Sequence, residues 1–127
     1  MNEQSTDMQK DLKGSSTVLL VPDLQQSIDY YEALGFTKEV IGGHTHMQRG
    51  QVTFIPHPAK NADDVKPSSS VEGGLYFDVF CYAEGIRTLY EEFQAAGVEI
   101  VNGPNWGDSW SEFTIRDING YRIAFGG

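Results

Sequence analysis

The sequence predicts an α+β fold built from two βαβββ repeats, and three observations carry that prediction. An apolar run, a helix-start signal, an amphipathic segment and a glycine follow one another from Val18 to Phe36, and again from Tyr76 to Val98. Val21 matches Val79, Ile28 matches Ile86, and Gly35-Phe36 matches Gly97-Val98. The Val-to-Gly spacing is 14 positions in the first copy (35 minus 21) and 18 in the second (97 minus 79). The difference of four is about one helical turn, which a longer second helix would absorb without rotating its buried face. Short β-rich runs separated by turn residues follow each copy, as expected of one duplicated unit.

Taken in order, residues 1–14 are polar and aperiodic and read as an N-terminal tail ahead of a single domain over 15–127. Thr17 to Val21 is β-rich, and Pro22 stops it. Asp23 is placed to cap a helix, with Gln26 three positions on. Leu24, Ile28, Tyr31 and Leu34 give that helix one apolar face, and Gly35 ends it. Phe36–Ile41, Thr45–Gln48 and Gln51–Ile55 read as strands around Gly42-Gly43 and Arg49-Gly50, completing a first unit over 15–56. Residues 57–72, with Ser68-Ser69-Ser70 and no apolar period, read as a crossover. The second unit, 73–127, repeats the order. Leu75–Phe80 is its first strand, and Ile86, Leu89, Tyr90, Phe93 and Ala96 mark its helix. Val98–Val101 follows, then a loop over Asn102–Asp108, then a hairpin of Trp110–Arg116 and Tyr121–Phe125 around Asp117-Ile118-Asn119-Gly120.

Composition narrows the function. Net charge is −9 with a pI near 4.6, which argues against binding a nucleic-acid backbone and weakly favours a cationic ligand. No stretch approaches the ~20 apolar residues of a membrane span, and no signal peptide precedes the first strand. Cys81 stands alone, so no disulfide framework is expected and a reducing cytoplasm is the default. Its place near a helix start allows either a reactive thiolate or a small packing residue.

At this point the chain resembles the vicinal oxygen chelate superfamily of glyoxalase I, bleomycin-resistance proteins and extradiol dioxygenases. The matching residues are Val21-Pro22-Asp23-Leu24, Ser27, Tyr30-Tyr31 and Leu34-Gly35-Phe36 in the first unit. In the second they are Ala95-Ala96-Gly97-Val98 and the closing run Phe113 to Ile123. That run looks like the family's Asp-Pro-Asp-Gly-Asn hairpin, with Ile118 and Asn119 at its second and third positions. The resemblance implies two units curled into a mixed sheet around a cup, and a homodimer. Metal-dependent members carry a His, Gln or Glu on the first strand and a Glu on the fourth strand of each unit. Here those places fall on Ser16, Thr53, Gly74 and Ala124, so the resemblance points to a metal-free member without a cofactor. His57 with Pro58 resembles the His-Pro pair at the same place in bleomycin-resistance proteins.

Strand alternation then proposes what lines the cup. Leu75, Phe77 and Val79 form the packed set of the fifth strand, leaving Tyr76, Asp78 and Phe80 for the cup. Trp110, Glu112, Thr114 and Arg116 join them from the seventh, and Arg122 and Ala124 from the eighth. The first unit adds Val18, Leu20, His44, His46, Gln48, Thr53 and Ile55. Apolar walls with a few orienting polar groups suit a small ligand, although Asp78, Glu112 and Arg122 could equally pair with one another. His44 and His46 could chelate a metal or face solvent. Trp106 and Trp110 could stack on a flat ligand or anchor a subunit interface.

Three functions follow as expectations. The first is a small-molecule-binding protein that sequesters a planar or cationic compound such as an antibiotic, without metal. The second is a metal-free isomerase, lyase or cyclase with Asp78 or Glu112 as base and Arg122 steadying an oxyanion. The third is a glyoxalase- or dioxygenase-like metal enzyme with ligands such as His44 and His46.

Overall fold

The computed structural model describes residues 11–127. Of the expected tail, only residues 11–14 lie in that range, and they carry no helix or strand. Strand β1 (Thr17–Val21) stops before Pro22, where the Asp23 carboxylate accepts a 3.0 Å hydrogen bond from the Gln26 amide and starts helix α1 (Leu24–Ala33). Strands β2 (Thr37–Ile41), β3 (His44–Arg49) and β4 (Val52–Pro58) complete the first half. The crossover holds two one-turn 3-10 helices, Ala62–Asp64 and Ser68–Ser70. Then come β5 (Val79–Tyr82), α2 (Ile86–Ala95), β6 (Glu99–Asn105), β7 (Glu112–Arg116) and β8 (Arg122–Gly126).

Each half closes its own mixed sheet. The orders are β1-β4-β3-β2 and β5-β8-β7-β6, with β1 parallel to β4 and β5 parallel to β8. One face of each sheet packs under its helix. Leu19, Val21, Met47 and Phe54 meet Tyr31 and Ile28 in the first half, and Cys81, Ile115, Ile123 and Phe125 meet Phe93 in the second. The two clusters fuse into one core.

Side chains tie the halves together. The Tyr31 hydroxyl on α1 donates to Asp117 Oδ2 at 2.5 Å, and Asn119 Nδ2 donates to Ser27 Oγ at 3.0 Å. The Tyr121 hydroxyl reaches the Leu20 carbonyl at 2.7 Å. At the opposite end, Arg49 beside the β3–β4 turn makes two bonds to Glu92 on α2 and one to the Leu34 carbonyl that closes α1.

Several expectations need correction. Both helices have ten residues, so the second is not a turn longer. The equivalence itself shifts: β1 begins seven residues before Leu24 (24 minus 17) and β5 seven before Ile86 (86 minus 79), so Thr17 corresponds to Val79 and Val21 to Ala83 rather than Val79, and Gly85 turns the chain into α2 with a φ of 65°. Leu24 therefore corresponds to Ile86, and Tyr31 to Phe93. Strand β5 begins at Val79 rather than Leu75, because the Asp78 carboxylate takes the Arg122 amide at 2.8 Å just before the strand. Leu75 is 65% exposed and belongs to no packed set. Strand β4 continues through His57 and Pro58, since beyond Phe54 its bonded neighbour is β1 alone, where prolines are tolerated. His57 is thus a strand residue. Strand β6 extends to Asn105 through two register shifts, absorbing part of the expected loop. Trp110 precedes β7 instead of opening it, and Ala96 is exposed.

Candidate ligand site

The registers fix which side chains share the face turned away from the helices. In the second half one row runs Tyr82–Gly126–Glu112, the next Phe80–Ala124–Thr114–Asn102, and a third joins Arg122 to Arg116 and Glu99. Phe80 and Trp110 stack at 6.2 Å with 23° between planes, and Tyr82 meets them at 5.3 and 6.4 Å. Phe77 packs edge-on against Phe80 at 5.3 Å, and Tyr76 against Phe77 at 4.9 Å. The five rings form a continuous wall.

One carboxylate organises it. Glu112 accepts 2.9 Å bonds from the Tyr76 hydroxyl at Oε2 and from Trp110 Nε1 at Oε1. Its bond to Glu112 raises the Tyr76 hydroxyl's pKa, so Tyr76 stays a donor. Gly126 makes room for the rings: a Cβ there would stand 2.5 Å from Trp110 Cζ2 and 2.7 Å from Phe80 Cζ. Next to the wall, Thr114 is fully buried and its hydroxyl has no partner.

The other predicted residues separate. Asp78 accepts from the Ser69 amide (2.7 Å), the Ser69 hydroxyl (2.6 Å) and the Arg122 amide (2.8 Å), pinning the crossover to the second sheet. It is held neither by Glu112 nor by the Arg122 guanidinium, so the expected ion-paired trio does not form. Among the described residues that guanidinium has no ion-pair partner. Trp106 leaves the site. It packs on α2, 5.5 Å from Tyr90, with the Arg87 guanidinium 4.3 Å from its ring. Leu20 borders a cleft between β1 and β5 that Asp78 and Tyr121 also line. His44 and His46 lie on the helix-free face of the first sheet, where His46 Nδ1 is 3.1 Å from the His44 carbonyl. Burial pushes the Cys81 thiol up to about 12, so the packing reading of that residue holds.

Tyr82, Phe77 and Gly126 were absent from the expected lining. Tyr82 shares the alternation of Phe80 two residues earlier, so extending the strand would have found it. Of the four positions the resemblance assigned, Ser16 is an exposed hydroxyl directly before β1, Thr53 a half-buried hydroxyl on β4 and Ala124 a fully buried methyl, none of them a usual ion ligand. Gly74 lies five positions ahead of β5 (79 minus 74); the residue directly before β5, as Ser16 is before β1, is Asp78, whose carboxylate is engaged by Ser69 and the Arg122 amide. No cluster of three or more His, Cys, Asp or Glu able to hold a metal occurs among the described residues.

A duplicated βαβββ protein with an aromatic surface on one sheet is the class these features define. The chain belongs to the glyoxalase/bleomycin resistance protein/dioxygenase superfamily, whose model matches residues 15–125. Among solved structures, UcmS2 is similar at a TM-score of 0.70 and 18% identity, covering 91% of this chain and 98% of that one. TioX from Micromonospora sp. ML1 gives 0.67 and 17%, with coverage of 91% and 98%. A putative glyoxalase family protein from Bacillus anthracis gives 0.66 and 16%, with coverage of 91% and 94%. At these identities the likeness is one of fold. No curated protein matches the chain.

Proposed function

We propose that this protein binds a planar or cationic small molecule, such as an antibiotic, against the aromatic wall of its second half. The supporting observation is the wall itself: stacked Phe80 and Trp110, exposed Tyr82, and one carboxylate held by two aromatic donors. Aromatic faces beside a negative charge attract flat cations by stacking and by cation–π contact, each contributing about 0.5–2 kcal/mol. The net charge of −9 acts in the same direction at long range. Recognition of this kind calls on no metal at the four family positions.

A homodimer fits the exposed apolar side chains on the helix-free face of the first sheet, Val18 at 60% and Ile41 at 49%, which a second copy would cover. Sedimentation tests that arrangement, and a monomer at all concentrations would exclude it. The lone thiol of Cys81 suits a reducing cytoplasm.

A carboxylate-based enzyme finds less support, because Asp78 already accepts from three donors and Glu112 from two, one on each oxygen. The deciding experiment is calorimetry and Trp fluorescence with a panel of planar cationic antibiotics. Binding that quenches Trp110 and disappears in Trp110→Ala is expected. Absence of heat and quenching across the panel would sink the reading.

A further inference from the structure

The first half carries a cluster that the aromatic wall does not use. The β3–β4 ladder ends at Met47–Phe54, and alternation from these two buried residues puts His44, three positions back on β3, and His57, three positions on along β4, side by side on the helix-free face. Their ring centroids are 6.0 Å apart and the planes are inclined at 58°. Both rings are exposed and free to adjust. His46 shares the face, but its Nδ1 points along its own strand to the His44 carbonyl.

The backbone holds the pair in place. His57 sits between Pro56 and Pro58, so its own conformation is confined to the extended region and the φ of each neighbour is fixed. Pro56 is itself fully buried, which anchors that stretch of β4. His44 follows directly on the Gly42-Gly43 turn, within the β2–β3 ladder.

Imidazole nitrogens bind divalent zinc at about 2.0–2.1 Å, and two rings on one ion then have centroids roughly 5–6 Å apart. The observed separation is at the edge of that range, within reach of a small side-chain rotation. We infer that His44 and His57 form a two-imidazole site for a borderline divalent cation of the Zn2+ type. Two coordination positions remain open to water or to the oxygen donors of a ligand. The site is distinct from the four family positions and does not depend on the aromatic-wall reading.

The test uses the untagged full chain titrated with zinc chloride and followed by calorimetry and by the 1H–15N resonances of the imidazole rings. The rings of His44 and His57 are expected to shift together at a one-to-one ratio. His44→Gln or His57→Gln should each weaken binding about tenfold or more, since each removes one of two protein ligands, whereas His46→Gln should leave it unchanged. All three positions are at least partly solvent-exposed, and far-UV circular dichroism checks that the variants fold. No ring shift up to millimolar zinc, binding that survives His57→Gln, or binding lost in His46→Gln would each overturn the inference.

Discussion

Tyr31 and Asp117, 86 positions apart, are joined by a 2.5 Å hydrogen bond that fastens helix α1 of the first half to the closing turn of the second. Asp117 also accepts the Asn119 and Tyr121 amides, each at 2.9 Å, so one buried carboxylate both shapes the turn and holds the seam. Tyr31→Phe keeps the ring contacts with Phe36 and Phe54 and deletes only the donor. A loss of about 1–3 kcal/mol in urea unfolding is expected. A loss below the error of the extrapolation would show that the bond adds nothing net.

Cys81 gives a pH dependence of known sign. Burial raises its thiol pKa from 9.0 to about 12, so below pH 9 folded and unfolded states both hold the proton. Between these values the unfolded chain releases it and the native chain keeps it, and stability falls as pH rises. Cys81→Ala should reduce that alkaline slope between pH 9 and 10, measured as denaturation midpoint against pH, and leave the steeper part that half-buried Tyr30 and buried Tyr31 contribute at higher pH. Native protein at pH 8 should also resist thiol reagents until it is unfolded.

Arg49 closes the other end of the seam. A Cβ on Gly35, whose φ is 85°, would stand 2.9 Å from Arg49 Nη1, so these two positions are coupled. Glu92→Gln should cost under about 1 kcal/mol, because this partly exposed pair is screened. Arg49→Ala should cost more, since it also strips the Leu34 carbonyl of its partner. In a double-mutant cycle, Gly35→Ala should cost less on the Arg49→Ala background than alone. Strict additivity would refute the coupling.

Ser69 supplies two of the three bonds on Asp78. Ser69→Ala removes the hydroxyl bond alone, at a cost of about 1 kcal/mol. Faster hydrogen exchange confined to residues 59–78 is the expected signature. Unchanged exchange there would mean that Asp78 does not anchor the crossover.

Gly126→Ala tests the aromatic wall from below. The added methyl must displace Trp110 or Phe80, so ring stacking and ligand quenching should both weaken while the sheet register survives. Near-ultraviolet circular dichroism reads the first and fluorescence titration the second. Unaltered ring signals would show that the close approach is not needed.

Local chemistry explains why most of the fold could be read in advance. Asp23, Gly35, Gly97 and the Asn119-Gly120 turn act within a few residues of themselves, so helix ends and the last hairpin were legible. Strand limits were not, because they depend on distant partners. Asp78 stops β5 early through Arg122, and β1 alone keeps Pro56 and Pro58 in a strand. The site was half legible for the same reason. Alternation placed Phe80, Glu112 and the histidines on the correct face. It could not foresee that Tyr76 would fold across to Glu112, or that Trp106 would settle on Tyr90 and Arg87.

Among the described residues, no ladder hydrogen bond passes from one sheet to the other. The halves are joined instead by the shared core and by side chains, and that division leaves a practical opening. A foreign half should dock onto either half only if it matches the shared apolar core and also brings the complementary groups at the joint, Ser27 and Tyr31 against Asn119 and Asp117, and Arg49 against Glu92. Chimeras assembled on that rule could exchange the aromatic sheet face of the second half while keeping the first half's sheet.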